Sequence, residues 1–231
     1  MSQINTNVSG ENHIIVSARE NFIKYALRVG AFKFPKNGHI LKSGRVSPYF
    51  FNSGLFYTGG AIKELARAYL AAMGNLRPDV IFGPAYKGIP LSVAITTQAF
   101  DENIGYAFNR KEEKDHGEKG IIVGMSLKNK GVLIVDDVIT KGTSSSEALE
   151  LIGKQEGISI GCIIAFDRQE RGNGYLSAVE EFQKIHSIPV RAAATLHDLI
   201  KVLRQNSARD VDDGSREKLE KILAYQQMYG I

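Results

Sequence analysis

The residues best placed to do chemistry stand together in VLIVDDVITKGTS, positions 132–144. An apolar run ends in two adjacent carboxylates, Asp136 and Asp137, and a loop of small, hydroxylated residues follows. Buried charge is costly, so a core strand that ends on two acids calls for a cation or a polar ligand to offset them. One Asp and one Thr could do no more than cap a helix and satisfy a loop. A P-loop is excluded, because GxxxxGK[ST] is absent. A dinucleotide fingerprint is excluded too, since the nearest cluster, RGNGYLS, lacks the third glycine and the βαβ setting. The alternating acids of a calcium loop are also missing. A phosphate monoester accounts for the whole stretch. Gly142 permits close backbone approach, while hydroxyls and N–H groups at a helix N-terminus cradle the phosphate. The carboxylates are then free to grip vicinal ribose hydroxyls, directly or through hydrated Mg²⁺.

Elements must hold these residues in place, and the pattern for them is clear. Near-continuous apolar runs at 79–85, 105–110, 119–124, 131–139 and 159–167 alternate with helical spacing at 60–73, 89–100, 144–155 and 175–186. That alternation predicts an α/β fold, with a mostly parallel central sheet covered by helices on both faces. In such sheets ligands sit at the carboxyl ends of the strands, where Asp136 and Asp137 stand. A helix is also predicted over 17–32, with Ser17 as N-cap, and the tail 196–229 reads as helical. Residues 1–16 are expected to form a flexible N-terminal extension, and 17–231 a single domain.

With 231 residues the chain can bury a full core without staples. Its net charge of +4 favours anionic ligands but lacks the dense basic face of a nucleic-acid coat protein. Cys162 is the sole cysteine, so neither an internal disulfide nor a cysteine metal cluster is possible; its apolar surroundings predict a buried small side chain. No secretion signal and no stretch of membrane-spanning length are read, so a cytoplasmic protein with no membrane partner is expected.

An apolar strand, two acids, two apolar residues and T-x-G-T-S resemble the phosphoribosyl-diphosphate (PRPP) motif of type I phosphoribosyltransferases. Further stretches narrow the resemblance: LKSGR-x-SPYFFN at 41–52, GPAYKGIPL at 83–91, RKE-x-KDHGE at 110–118 and DRQERG at 167–172. Together they closely resemble orotate phosphoribosyltransferase over about 17–229. The resemblance implies a type I phosphoribosyltransferase fold with a smaller N-terminal hood, built mainly from 17–58 plus part of the C-terminus. It also implies a Mg²⁺-dependent pentosyltransferase: orotate and PRPP give orotidine 5′-monophosphate and diphosphate, a step of pyrimidine synthesis.

Carried over residue by residue, Lys42 would contact PRPP and orotate, and Phe50 and Phe51 would border the orotate pocket. Tyr86 and Lys87 would hold the diphosphate side. Asp136, Asp137, Val138, Ile139, Thr140, Lys141, Gly142, Thr143 and Ser144 would bind ribose and 5′-phosphate, with Thr140 also near orotate. Lys141 departs from the small residue usual there. Arg168 would meet the orotate carboxylate, which a planar guanidinium recognises bidentately; its bland alternative is an ion-pair arginine beside Asp167 and Glu170.

Loop 109–120 balances four cations against four acids, so it is no simple basic patch. The resemblance makes it a mobile cover over the diphosphate. Lys111 would act in its own site, while Arg110, Lys114 and His116 would reach into the neighbouring subunit of a homodimer. Lys114 is expected to matter most for rate, and His116 as a second donor. Two rival readings are a phosphoribosyltransferase for another nucleobase and a non-catalytic PRPP-sensing regulator of nucleic acid. Turnover with adenine in place of orotate would favour the first; lost acids or a helix-turn-helix would favour the second, and neither sequence feature is seen.

Overall fold

The computed structural model of the chain describes residues 7–41, 43–114, 120–139, 143–172, 174–208 and 214–231. In chain order the elements are α1 (Asn7–Arg28), β1 (Phe32–Lys33), β2 (His39–Ile40), β3 (Val46–Ser47), β4 (Phe50–Phe51), a 3-10 turn (Ser53–Leu55), α2 (Gly59–Met73), β5 (Val80–Gly83), α3 (Gly88–Gln98), β6 (Gly105–Lys114), β7 (Gly120–Gly124), β8 (Gly131–Asp136), α4 (Thr143–Lys154), β9 (Ile158–Asp167), α5 (Ala178–His186), β10 (Val190–Thr195), α6 (Leu196–Ala208) and α7 (Ser215–Tyr229).

Six strands form one sheet in the order β10-β9-β8-β5-β6-β7. All neighbours are parallel except β6 and β7, which pair antiparallel at the edge. The apolar runs are continuous because both faces are covered. Leu133 and Val135 of β8 join a core with Leu65, Tyr69, Ile95 and Leu199, from α2, α3 and α6. Val132 and Ile134, of opposite parity, pack with Ala148, Ile152, Val179 and Phe182, from α4 and α5. Cys162 is fully buried in this second core, as its neighbours predict.

Over the carboxyl ends of the strands sits a small N-terminal region built on two antiparallel pairs, β1 with β4 and β2 with β3. Its anchor is aromatic. Phe32 and Phe51 lie 5.0 and 5.6 Å from Phe166, near the end of β9, and Phe22 and Phe56 complete the cluster. Burying each such ring contributes about 1.5–3 kcal/mol.

Several boundaries differ from the sequence reading. Ser17 is not an N-cap: α1 runs from Asn7, across the 16/17 position where the N-terminal extension was expected to end. A strand not foreseen, β10, closes the sheet beside β9, with Val190 opposite Cys162 and Thr195 opposite Asp167. The first part of the charged 109–120 loop is strand, because β6 continues to Lys114 and pairs with β7 through an irregular register. The helix read over 175–186 starts at Ala178, where Ser177 and Glu180 form a capping box.

Candidate active site

The carboxyl end of β8 delivers Asp136 as its last residue and Asp137 just beyond, both less than a tenth exposed. The chain turns there on its own polar groups. The Asp137 N–H donates to Asp136 Oδ1 at 2.8 Å, and the Val138 N–H to Asp137 Oδ1 at 2.9 Å. From α2, the Tyr69 hydroxyl donates to the Asp136 carbonyl at 2.7 Å. The neighbouring strand fixes the other side, since the Ala165 N–H donates to the Asp137 carbonyl at 2.9 Å.

A lysine offsets the acids. Lys87 Nζ lies 2.5 Å from Asp137 Oδ2, and the Ser53 hydroxyl donates to the same oxygen at 3.3 Å. Lys87 and the exposed Tyr86 stand in the tight turn between β5 and α3, and the Ala85–Tyr86 peptide is cis. That turn needs its glycines: a Cβ on Gly83 would lie 1.9 Å from the Gly88 carbonyl oxygen. Asn109 of β6 braces it by accepting the Ala85 N–H at 2.9 Å.

Two carboxylates against one ammonium leave a surplus negative charge. Burial, and then the charge of Asp137, push the Asp136 carboxyl up to about 6, against the pull of the Asp137 N–H, the Ser144 hydroxyl and Lys87. A free Asp titrates at 3.8. The folded chain thus holds this proton more tightly than the unfolded chain does. Ionised Asp136 costs nothing at pH values well below the free-Asp pKa, and its full cost falls above the folded pKa. That full cost is about 3 kcal/mol. Asp136→Asn keeps the acceptor for the Asp137 N–H and removes the charge. It is expected to raise Tm by several degrees at about pH 7.5 and by little at about pH 4. Equal shifts in melting scans at both values would show that the charge is not the cause.

The acid pair also suits a divalent cation. Among the described residues no group of three or more His, Cys, Asp or Glu side chains converges. Asp136 and Asp137, two neighbouring carboxylates, could supply at most part of the shell of a hard divalent cation.

Next along the sheet, β9 delivers Arg168. Its guanidinium is largely buried, lies 4.2 Å over the Tyr49 ring, and donates to Glu170 Oε1 and to the Ser47 hydroxyl, each at 2.8 Å. The ion-pair alternative for Arg168 is thus partly right, but the pair is buried rather than on the surface. Phe50 is half-buried against the His39 ring at 4.3 Å. The Phe51 ring belongs to the aromatic core instead, so only its backbone is left to border a pocket.

Of the other expected residues, Ile139 is buried, Val138 half-buried, and Thr143 and Ser144 open α4, both exposed. Lys111 is exposed on β6, and Arg110 Nη1 donates to the Gly120 carbonyl at 2.8 Å. Lys42, His116, Thr140, Lys141 and Gly142 lie outside the described residues, as does the side chain of Lys114. The sequence reading missed Ser53, Ser47, Tyr49 and Tyr69 as supports, and saw Glu170 only as a bystander. Ser47 and Tyr49 lie within the SPYFFN stretch, beside the two phenylalanines. A cavity of about 500 Å³ lined by Ile62, Lys63, Pro90, Val93 and Ala94 lies against α2 and α3 and includes none of these groups.

Comparison with known proteins places this geometry. The family model for the phosphoribosyl transferase domain matches residues 58–192. The chain is 46% identical over 226 residues to an orotate phosphoribosyltransferase of Kluyveromyces lactis, covering 92% of this chain and 95% of that one. It is 43% identical over 218 residues to one of Pseudomonas syringae pv. tomato, covering 92% and 98%. Among solved structures, the orotate phosphoribosyltransferase of Francisella tularensis superposes with a TM-score of 0.76 at 36% identity, over 91% of this chain and all of that one.

Proposed function

This chain belongs to the orotate phosphoribosyltransferase family, and from that premise we propose how its own residues transfer the phosphoribosyl group of PRPP to orotate. The products are orotidine 5′-monophosphate and diphosphate, which sets the enzyme in pyrimidine nucleotide synthesis. The observation that carries the assignment of roles is the meeting of Asp136, Asp137, Lys87 and Arg168 at the carboxyl ends of adjacent strands, where the sheet gathers ligands.

The 5′-phosphate rests on 138–144, at the start of α4, where the N-terminal end of a helix and its dipole favour an anion. Asp136 and Asp137 hold the ribose hydroxyls. Mg²⁺, held with PRPP near these two acids, supplies positive charge to the diphosphate when bound. Lys87 and Tyr86 take the diphosphate side, so Lys87 leaves Asp137 for a more highly charged anion as substrate arrives. Arg168 receives the orotate carboxylate; purines and uracil lack that group, which favours orotate over another base. Lys42 and Phe50 complete the orotate side.

The reaction then asks little covalent chemistry of the protein. The orotate ring nitrogen, as an anion, forms a bond to C1 while the C1–oxygen bond breaks and its electron pair leaves with the diphosphate. Positive charge grows on ribose and negative charge on the leaving group. Alignment and preorganised charge supply most of the acceleration. Arg110, Lys111, Lys114 and His116 cover the diphosphate and exclude the water that would otherwise hydrolyse PRPP. We propose a cytoplasmic homodimer in which this segment is shared between subunits.

A PRPP-dependent loss of orotate's ultraviolet absorbance is expected in the presence of Mg²⁺, abolished by EDTA. No loss with orotate, but turnover of adenine or hypoxanthine, would move the activity to another base. Retained activity in EDTA would remove the metal from the mechanism.

A further inference from the structure

Arg168 does not stand alone, and how it is held bears on what it can still bind. Its Nε donates to Glu170 Oε1 at 2.8 Å, and its Nη2 lies 2.5 Å from the same oxygen and 2.8 Å from Ser47 Oγ. One edge of the planar guanidinium is therefore committed. Nη1 is not among the groups that hold this edge, and the Tyr225 hydroxyl is a hydrogen-bond neighbour of the guanidinium.

Glu170 is itself fixed from two directions. Its Oε2 accepts from the Tyr225 hydroxyl of α7 at 3.2 Å and lies 3.8 Å from Arg45 Nη1. Tyr225 remains a donor because burial, and then the negative charge of Glu170, push its hydroxyl up to about 12. The backbone beside Glu170 is tied to the C-terminal segment: the Arg171 N–H donates to the Tyr229 carbonyl at 2.8 Å, and Glu170 bridges antiparallel to Gly230. Two arginines thus share one carboxylate, so Glu170 alone does not neutralise them both.

We propose that Glu170 is a positioning residue for orotate: it holds the Nε–Nη2 edge of Arg168 so that the Nη1 edge stands ready for the substrate carboxylate. This rests on the reading of Arg168 as the orotate-binding residue. A guanidinium ordered beforehand loses less freedom when the ligand arrives; the Nη1 N–H groups are the donors left for the carboxylate, and a two-nitrogen fork forms only if Nη2 gives up Ser47. Glu170 touches no reacting atom, so its effect should fall on orotate binding and leave PRPP binding alone.

Steady-state kinetics in both substrates test this with Glu170→Ala, Glu170→Gln and Arg168→Ala. Glu170→Ala is expected to raise KM for orotate roughly 10–100-fold, the scale of a lost charge-assisted hydrogen bond, while KM for PRPP stays within about twofold. Glu170→Gln keeps an acceptor for Nε and should fall between wild type and alanine. Should the alanine variant fail to fold, the isosteric glutamine variant carries the test by the same split between the two KM values. An unchanged orotate KM overturns the proposal, and so does a parallel rise in both constants. A lowered orotate KM also overturns it, since Glu170 would then be a competitor for the guanidinium. Arg168→Ala separates the underlying reading: if it leaves the orotate KM unaltered, the role of Arg168 itself fails, whatever Glu170 does.

Discussion

Asp137→Asn is expected to lower kcat/KM for PRPP roughly 10²–10³-fold, the scale seen when one preorganised charge is taken from an active site. The structure separates this carboxylate from its neighbour. Asp136 is turned toward the Asp137 N–H and Ser144, whereas Asp137 Oδ2 meets Lys87 and Ser53. An amide in place of Asp137 keeps the acceptor for the Val138 N–H. It loses the charge that holds Lys87 and that is proposed to grip the ribose hydroxyls, and it turns toward the ammonium either a neutral oxygen or a second donor. The loss should not come from unfolding, because removing one of two adjacent buried negative charges relieves Asp136. Kinetics and a melting scan on the same preparation check both halves. A kcat/KM within about threefold of wild type would remove Asp137 from the ribose site.

What made the acid pair legible in sequence is that its environment is local. The strand before it is a run of buried Val, Leu and Ile, and nothing but a ligand or cation explains charge at such a tip. The partners of these residues were not legible in the same way. Ser53 lies 84 positions from Asp137, and Ser47 lies 121 from Arg168. Such contacts exist only because the N-terminal region docks on the strand ends. That docking also decided between Phe50 and Phe51. Alternation says that they face opposite ways, but the Phe22, Phe32, Phe56 and Phe166 rings determine that Phe51 is the core member.

The strand β10 was hidden for a different reason. VRAAAT carries three alanines, which have little strand preference, and its place is secured by parallel pairing with β9 rather than by its own composition. At α1 the error ran the other way: the polar residues before Ser17 read as loose chain, yet the helix extends through them from Asn7. Propensity is a weak prior at a helix end. The charged stretch after Asn109 read as loop from its charges, while its backbone pairs with β7 as far as Lys114. Side-chain charge alone does not rule out a strand here, where β5 pairs with β6 only as far as Phe108 and the residues beyond it have β7 on one side.

Lys114 therefore stands at the end of a strand, at the threshold of the segment proposed to cover the diphosphate. Lys114→Ala is expected to lower kcat roughly 10²–10³-fold, because the charge on the leaving group grows only as the C1–oxygen bond breaks. A residue that bound PRPP and the transition state equally would instead raise KM and leave kcat unchanged, and that result would sink the assignment. The same variant tests where the segment acts. If it serves the neighbouring subunit, a dimer of one Lys114→Ala and one Asp137→Asn chain has one intact site. That site takes its acids from the first chain and its lysine from the second, while the other site is doubly broken. Random re-pairing of equal amounts makes half the dimers mixed, so about a quarter of wild-type activity should return. If the segment serves its own subunit, every site in the mixture carries one lesion and nothing returns. Both variants are nearly inactive alone, so recovery on mixing has no source except a shared site.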